Sequence, residues 1–113
     1  MILASLQARP ALILSVLNYE HRIAGHLEQY KAIATLVDGS RLHINEVWLH
    51  GVRRKYAYYW LDIDANLIQG WDNAPHHPHI ATYPHHSHTP AGVIKSHLGT
   101  LDDLLSELEQ SLG

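Results

Sequence analysis

Four prolines within sixteen residues, Pro75, Pro78, Pro84 and Pro90, constrain this chain more than any other feature of its sequence. Proline lacks a backbone donor and fixes its own φ, so no helix runs through such a stretch and an interior strand is disfavoured there. The chain therefore divides into three parts: a strand meander over 11–72, a histidine- and proline-rich loop over 73–92, and a helix over 100–112. At 113 residues these parts are expected to form a single domain, 1–113, with a modest core. With no cysteine in the chain, neither a disulfide framework nor a thiolate zinc site is available.

Before the prolines, apolar residues alternate and turns recur. Ala11–Tyr19 follows the break at Pro10, and Leu27–Val37 ends on the hairpin turn Asp38-Gly39-Ser40. In Arg41–Leu49, Leu42 and Ile44 alternate with Arg41 and His43, and His50-Gly51 turns the chain again. Lys55–Ile63 places Tyr56, Tyr58 and Trp60 on one face and Ala57, Tyr59 and Leu61 on the other. After a loop at Asp62–Asn66 a short strand occupies Leu67–Trp71. Connections this short join antiparallel neighbours. A short helix fits Ile2–Ala8. At the other end, Thr100 is a candidate N-cap with Asp102 and Asp103 in the first turn, where acids complement the helix dipole. Leu101, Leu104, Leu105, Leu108 and Leu112 then form one apolar stripe, suited to packing on the sheet or, second, on a partner. The expectation is an α+β fold: an antiparallel sheet of about five strands with the C-terminal amphipathic helix packed on it.

The formal charge of −3 is unevenly distributed. Four acids and no base follow Thr100, whereas the rest of the chain carries eight bases, seven acids and all eleven histidines. That body becomes cationic below about pH 6.5. It is not the strongly basic surface of a general nucleic-acid binder, but a local anion site fits it. No apolar run approaches a bilayer span and Met1–Pro10 has no signal-peptide pattern, so a cytoplasmic protein without a membrane partner is expected.

A short unit occurs twice inside the loop: Pro75-His76-His77-Pro78-His79, then Pro84-His85-His86-Ser87-His88, which puts six histidines into thirteen residues. Three chemistries suit them. Paired imidazoles can act as acid and base in cleaving a phosphodiester through the ribose 2′-hydroxyl, with no metal. Two or three imidazoles can instead hold a divalent ion such as zinc, with Asp72 as an oxygen ligand. Or the rings rigidify the loop, with Asp72 and Asn73 as turn residues. Nearby, Arg53-Arg54-Lys55 is the chain's one basic run, and it adjoins Tyr56, Tyr58 and Trp60. Cations beside aromatic faces suit a single-stranded nucleic acid, while a solvated turn next to core aromatics is the plainer alternative.

Several stretches together resemble the TumE-like toxins of prokaryotic toxin–antitoxin modules. These are Asp38-Gly39-Ser40-Arg41-Leu42, Glu46, Lys55-Tyr56-Ala57-Tyr58-Tyr59-Trp60, Trp71-Asp72-Asn73-Ala74-Pro75-His76-His77-Pro78 and Tyr83-Pro84-His85-His86-Ser87-His88. The resemblance implies a toxin encoded beside a cognate antitoxin and arresting growth when free, with RNA as the expected target. The chain departs from the family pattern at Gly70, Tyr59 and Ser87, where arginine, histidine and lysine are common, and at His79, where an acid is common. The expected activity is that of a small metal-independent ribonuclease without a cofactor. His76, His77, His85, His86 and His88 would supply acid–base groups and Asp72 would orient an imidazole. Arg53, Arg54 and Lys55 would pair with phosphate and Tyr58 would stack on a base. The alternatives are a non-catalytic module binding nucleic acid or protein in a toxin–antitoxin complex, and a metal-binding histidine-loop protein. A homodimer through the sheet edge or the leucine stripe is compatible with either.

Overall fold

In the computed structural model, which describes residues 2–112, the chain begins with α1 (Ile2–Gln7) and ends with α2 (Leu101–Leu112). Between them lie β1 (Ile13–Ala24), β2 (Leu27–Leu36), β3 (Arg41–Leu49), β4 (Val52–Leu61), β5 (Leu67–Asp72), β6 (His86–Thr89) and β7 (Gly92–Lys95). All seven strands form one sheet in sequence order, each antiparallel to the next. Local chemistry explains the turns. Gly39 takes φ +88, which a side chain would resist, and the Asp38 carboxylate accepts the Ser40 N–H at 3.0 Å.

Period-two alternation puts Tyr30, Ala32, Ala34, Leu36, Leu42, Ile44, Tyr56, Tyr58 and Trp71 on one face of the sheet. Leu101, Leu104, Leu105 and Leu108 of α2 and Ile2 and Leu6 of α1 close over that face, and together these residues are the core. The helix start matches its sequence: Thr100 Oγ1 accepts the Asp103 N–H at 3.2 Å, and Asp103 Oδ2 accepts the Thr100 N–H at 3.0 Å. Neither helix covers the opposite face, which stays open except where His77 packs over His86 and His88. No helix among the described residues is long and apolar enough to cross a membrane.

The sheet has seven strands where about five were expected. β6 falls inside the stretch read as loop, and β7 begins at its last residue, Gly92, and runs on to Lys95. His-Ser-His-Thr has no apolar alternation, and Pro84 and Pro90 stand just outside β6 rather than within it. Its strand conformation comes from pairing with β5 on one side and β7 on the other, a non-local cause. Of 73–92, residues 73–85 and the two-residue turn Pro90-Ala91 remain outside the strands.

Candidate functional site

Two cross-strand registers build the site. β5 lies between β4 and β6, with Asp72 opposite Ala57 on one side and His86 on the other, and Gly70 opposite Tyr59 and His88. Directly opposed residues share a face, so Asp72, His86, His88 and Tyr59 meet on the open side of the sheet.

Asp72 is their hub. Its Oδ1 lies 2.8 Å from His86 Nε2 and accepts the Ala74 N–H at 3.0 Å; its Oδ2 accepts the Tyr59 hydroxyl at 2.6 Å and lies 3.1 Å from His88 Nε2. Four polar atoms surround a carboxylate that is 6 % exposed. His86 is buried too, at 2 %, with Nδ1 3.0 Å from the Pro84 carbonyl, so that nitrogen carries the proton. Its Nε2 stands 3.0 Å from His88 Nε2. Two nitrogens at that spacing share a proton or a cation, because facing lone pairs would repel. Burial, the Asp72 carboxylate and the hydrogen bond to it keep the Tyr59 phenol above its ordinary pKa, so it remains a donor.

His77 packs edge-on against both rings, with centroids 4.8 Å from His86 and 5.8 Å from His88. Loss of water, then the neighbouring imidazoles of His86, His88 and His79, hold it below the ordinary histidine pKa, which leaves it neutral near pH 7. One ring nitrogen each from His77, His86 and His88 lie within 4.8 Å of one another. With the Asp72 carboxylate beside them, this is a donor set that a zinc-class ion could use.

Next to the cluster, a groove of about 700 Å³ runs along the open face, lined by Arg54, Lys55, Tyr59, Asp72, His76 and Tyr83 among others. Arg53 is not there. The β3–β4 register slips between Val47 and Trp48, so that Trp48 faces Arg53, Val47 faces Lys55 and Arg54 is the bulged residue. The bulge sends Arg53 to the helix side, where it donates to the Tyr58 hydroxyl at 2.9 Å and to the Gly99 carbonyl ahead of α2, with its guanidinium 4.4 Å above the Tyr56 ring. Tyr58 is fully buried and donates to Glu46, so it has no free face for a base. Of the aromatics singled out in the sequence only Tyr56 lines the groove, and it is joined there by Tyr59 and Tyr83, which were not expected as contacts. The signal for Tyr59 was its alternation with Tyr58; Tyr83 carried none. His85 also stands apart, its Nδ1 2.8 Å from the Tyr56 hydroxyl and its ring stacked on Tyr56. Asn73 works structurally: it accepts the Tyr56 N–H and donates to the Arg54 carbonyl, both at 3.0 Å, and so bridges the bulge.

The departures at Gly70, Tyr59 and Ser87 adjoin one another. A Cβ on Gly70 would lie 2.5 Å from Cδ1 and Cε1 of the Tyr59 ring, and Ser87 Oγ donates to the Gly70 carbonyl at 2.7 Å. The bare glycine lets Tyr59 lie flat across β5 and reach Asp72. Gly70→Ala is therefore expected to push the ring off, break the Tyr59–Asp72 bond and destabilise the protein by about 1–3 kcal/mol. Thermal unfolding checks this, and Tyr59→Ser in the same chain should recover most of the steric loss.

Residues 6–112 match the family model described as "Toxin TumE". No curated protein and no solved structure matches the chain.

Proposed function

The chain belongs to the TumE toxin family, and on that premise we propose that it is a ribonuclease toxin, held in check by a cognate antitoxin, whose histidine cluster cleaves RNA lying in the open-face groove. The observation that carries this reading is the Asp72–His86–His88 cluster at the rim of a groove lined by Arg54 and Lys55. His77, uncharged and half-buried, takes the proton from a ribose 2′-hydroxyl as that oxygen attacks the adjacent phosphorus. His88, more open to solvent than His86, returns a proton to the departing 5′-oxygen as the phosphorus–oxygen bond breaks. The products are a 2′,3′-cyclic phosphate and a free 5′-hydroxyl. Asp72 and buried His86 orient His88, while Arg54 and Lys55 balance the phosphate charge. An activity on RNA restrained by an antitoxin would belong in the cytoplasm, with residues 1–113 acting as one domain.

The test is purified protein with RNA in chelator. Cyclic-phosphate ends and an intact all-deoxy analogue are expected. RNA left whole under conditions where expression still arrests growth removes the nuclease assignment. A second reading, a divalent transition ion held by the cluster, is favoured by the convergence of His77, His86 and His88. It predicts cleavage that stops in chelator and resumes with one particular ion.

The divided basic run gives a further expectation. Arg54→Ala should leave stability within about 0.5 kcal/mol and weaken RNA binding. Arg53→Ala should do the reverse, costing about 1–3 kcal/mol through its lost bonds to Tyr58 and Gly99. Urea unfolding and a filter-binding titration, run on both variants, check the pair.

A further inference from the structure

One long edge of the sheet is free. β1 is an edge strand of twelve residues whose outer side has no partner, and it contains neither proline nor lysine, residues that commonly blunt such edges. Four of the ten exposed large apolar side chains among the described residues lie on it: Leu14, Leu17, Tyr19 and Ile23. The other edge, β7, is only four residues long. A bulge between Leu17 and Glu20, with Asn18 at φ +53, breaks the regularity of β1, and Glu20–Ala24 beyond it pairs with β2 residue for residue.

That regular stretch is self-complementary. Glu20 and Arg22 stand opposite Lys31 and Gln29 of β2, which puts both on the open face, while His21 and Ile23 stand opposite Tyr30 and Glu28, on the helix-bearing face. Suppose a second β1 runs antiparallel with His21 on the two-fold axis. Glu20 then faces Arg22 of the partner subunit, and Arg22 faces the partner subunit's Glu20. Both ion pairs follow from one register. The two-fold closes on itself, so it consumes the long edge without leaving another. Charges directly opposed across antiparallel strands select such a register, and like charges there oppose it.

We propose that a second copy of this chain pairs with β1 about a two-fold axis at His21, extending the sheet through both subunits. The open faces of the two copies lie on the same side of the joined sheet, so their grooves point the same way.

Sedimentation of the full chain over a concentration series is the first test, and a dimer is expected. Glu20→Arg, at an exposed position, should weaken it about tenfold or more by setting arginines against each other, and adding Arg22→Glu should restore it. Cysteine provides a readout that does not depend on that charge. The chain has no cysteine, and directly opposed antiparallel residues have Cα atoms about 4.5–5.5 Å apart, within disulfide range. His21→Cys should give a covalent dimer under mild oxidation, reversed by reductant, whereas Val52→Cys, exposed elsewhere, should not. A monomer at every concentration overturns the proposal. So does a dimer that Glu20→Arg leaves unchanged, or one in which His21→Cys cross-links no faster than Val52→Cys.

Discussion

Asp72→Ala should lower the stability of the protein by about 3 kcal/mol and abolish growth arrest. The carboxylate joins β4, β5 and β6 through Tyr59, His86 and His88, and it holds the turn out of β5 through the Ala74 N–H. Removing it strands those donors in a site where His86 is 2 % exposed, and water has little access to replace the lost acceptor. A loss of that size lowers the melting temperature by on the order of 10 °C in a chain this long. Asp72→Asn separates shape from charge. The amide fills the same space but turns one acceptor into a donor, so stability should fall part of the way while function is still lost. Thermal unfolding of both variants, beside induction of each in cells, measures the two effects. An Asp72→Ala protein that melts with the parent would show that the hub does not hold β6 in the sheet.

His88→Gln should have the opposite profile: a native melting curve within about 1 kcal/mol, and RNA cleavage reduced roughly 10²–10⁴-fold. The imidazole is partly exposed, so water can occupy space it leaves, and Asp72 Oδ2 keeps the Tyr59 hydroxyl as its donor. What disappears is a partly exposed ring that touches both Asp72 and His86. Single-turnover cleavage of a short RNA, with unfolding measured on the same preparation, separates the outcomes. Undiminished cleavage by His88→Gln would remove His88 as the acid and favour His76, which lines the groove.

Some features were legible because they depend on neighbours in the chain. The Asp38-Gly39-Ser40 turn follows from one residue's tolerance for positive φ and one Asx hydrogen bond. The facing of Tyr56 and Tyr58 against Tyr59 follows from the two-residue period of a strand. The start of α2 follows from Thr100 and Asp103 capping each other, and its docking from the spacing of Leu101, Leu104, Leu105 and Leu108. The order of Trp71–Pro78 and Tyr83–His88 was enough to indicate the toxin family.

The chemistry of the site was legible only as a crowd of histidines. Nothing local in His86-Ser87-His88-Thr89 announces a strand; it becomes one because β5 and β7 complete its hydrogen bonds. Nor does Arg53-Arg54-Lys55 reveal that a bulge turns its first member toward the helix and leaves the other two at the groove. Which imidazoles meet Asp72, and which, like His85, pair elsewhere, follows from the register between strands far apart in sequence. Composition, turn chemistry and periodicity determine each segment because they act through covalent geometry and near neighbours. A cross-strand register is chosen by the packing of the whole sheet, so only the tertiary structure placed Asp72 opposite His86.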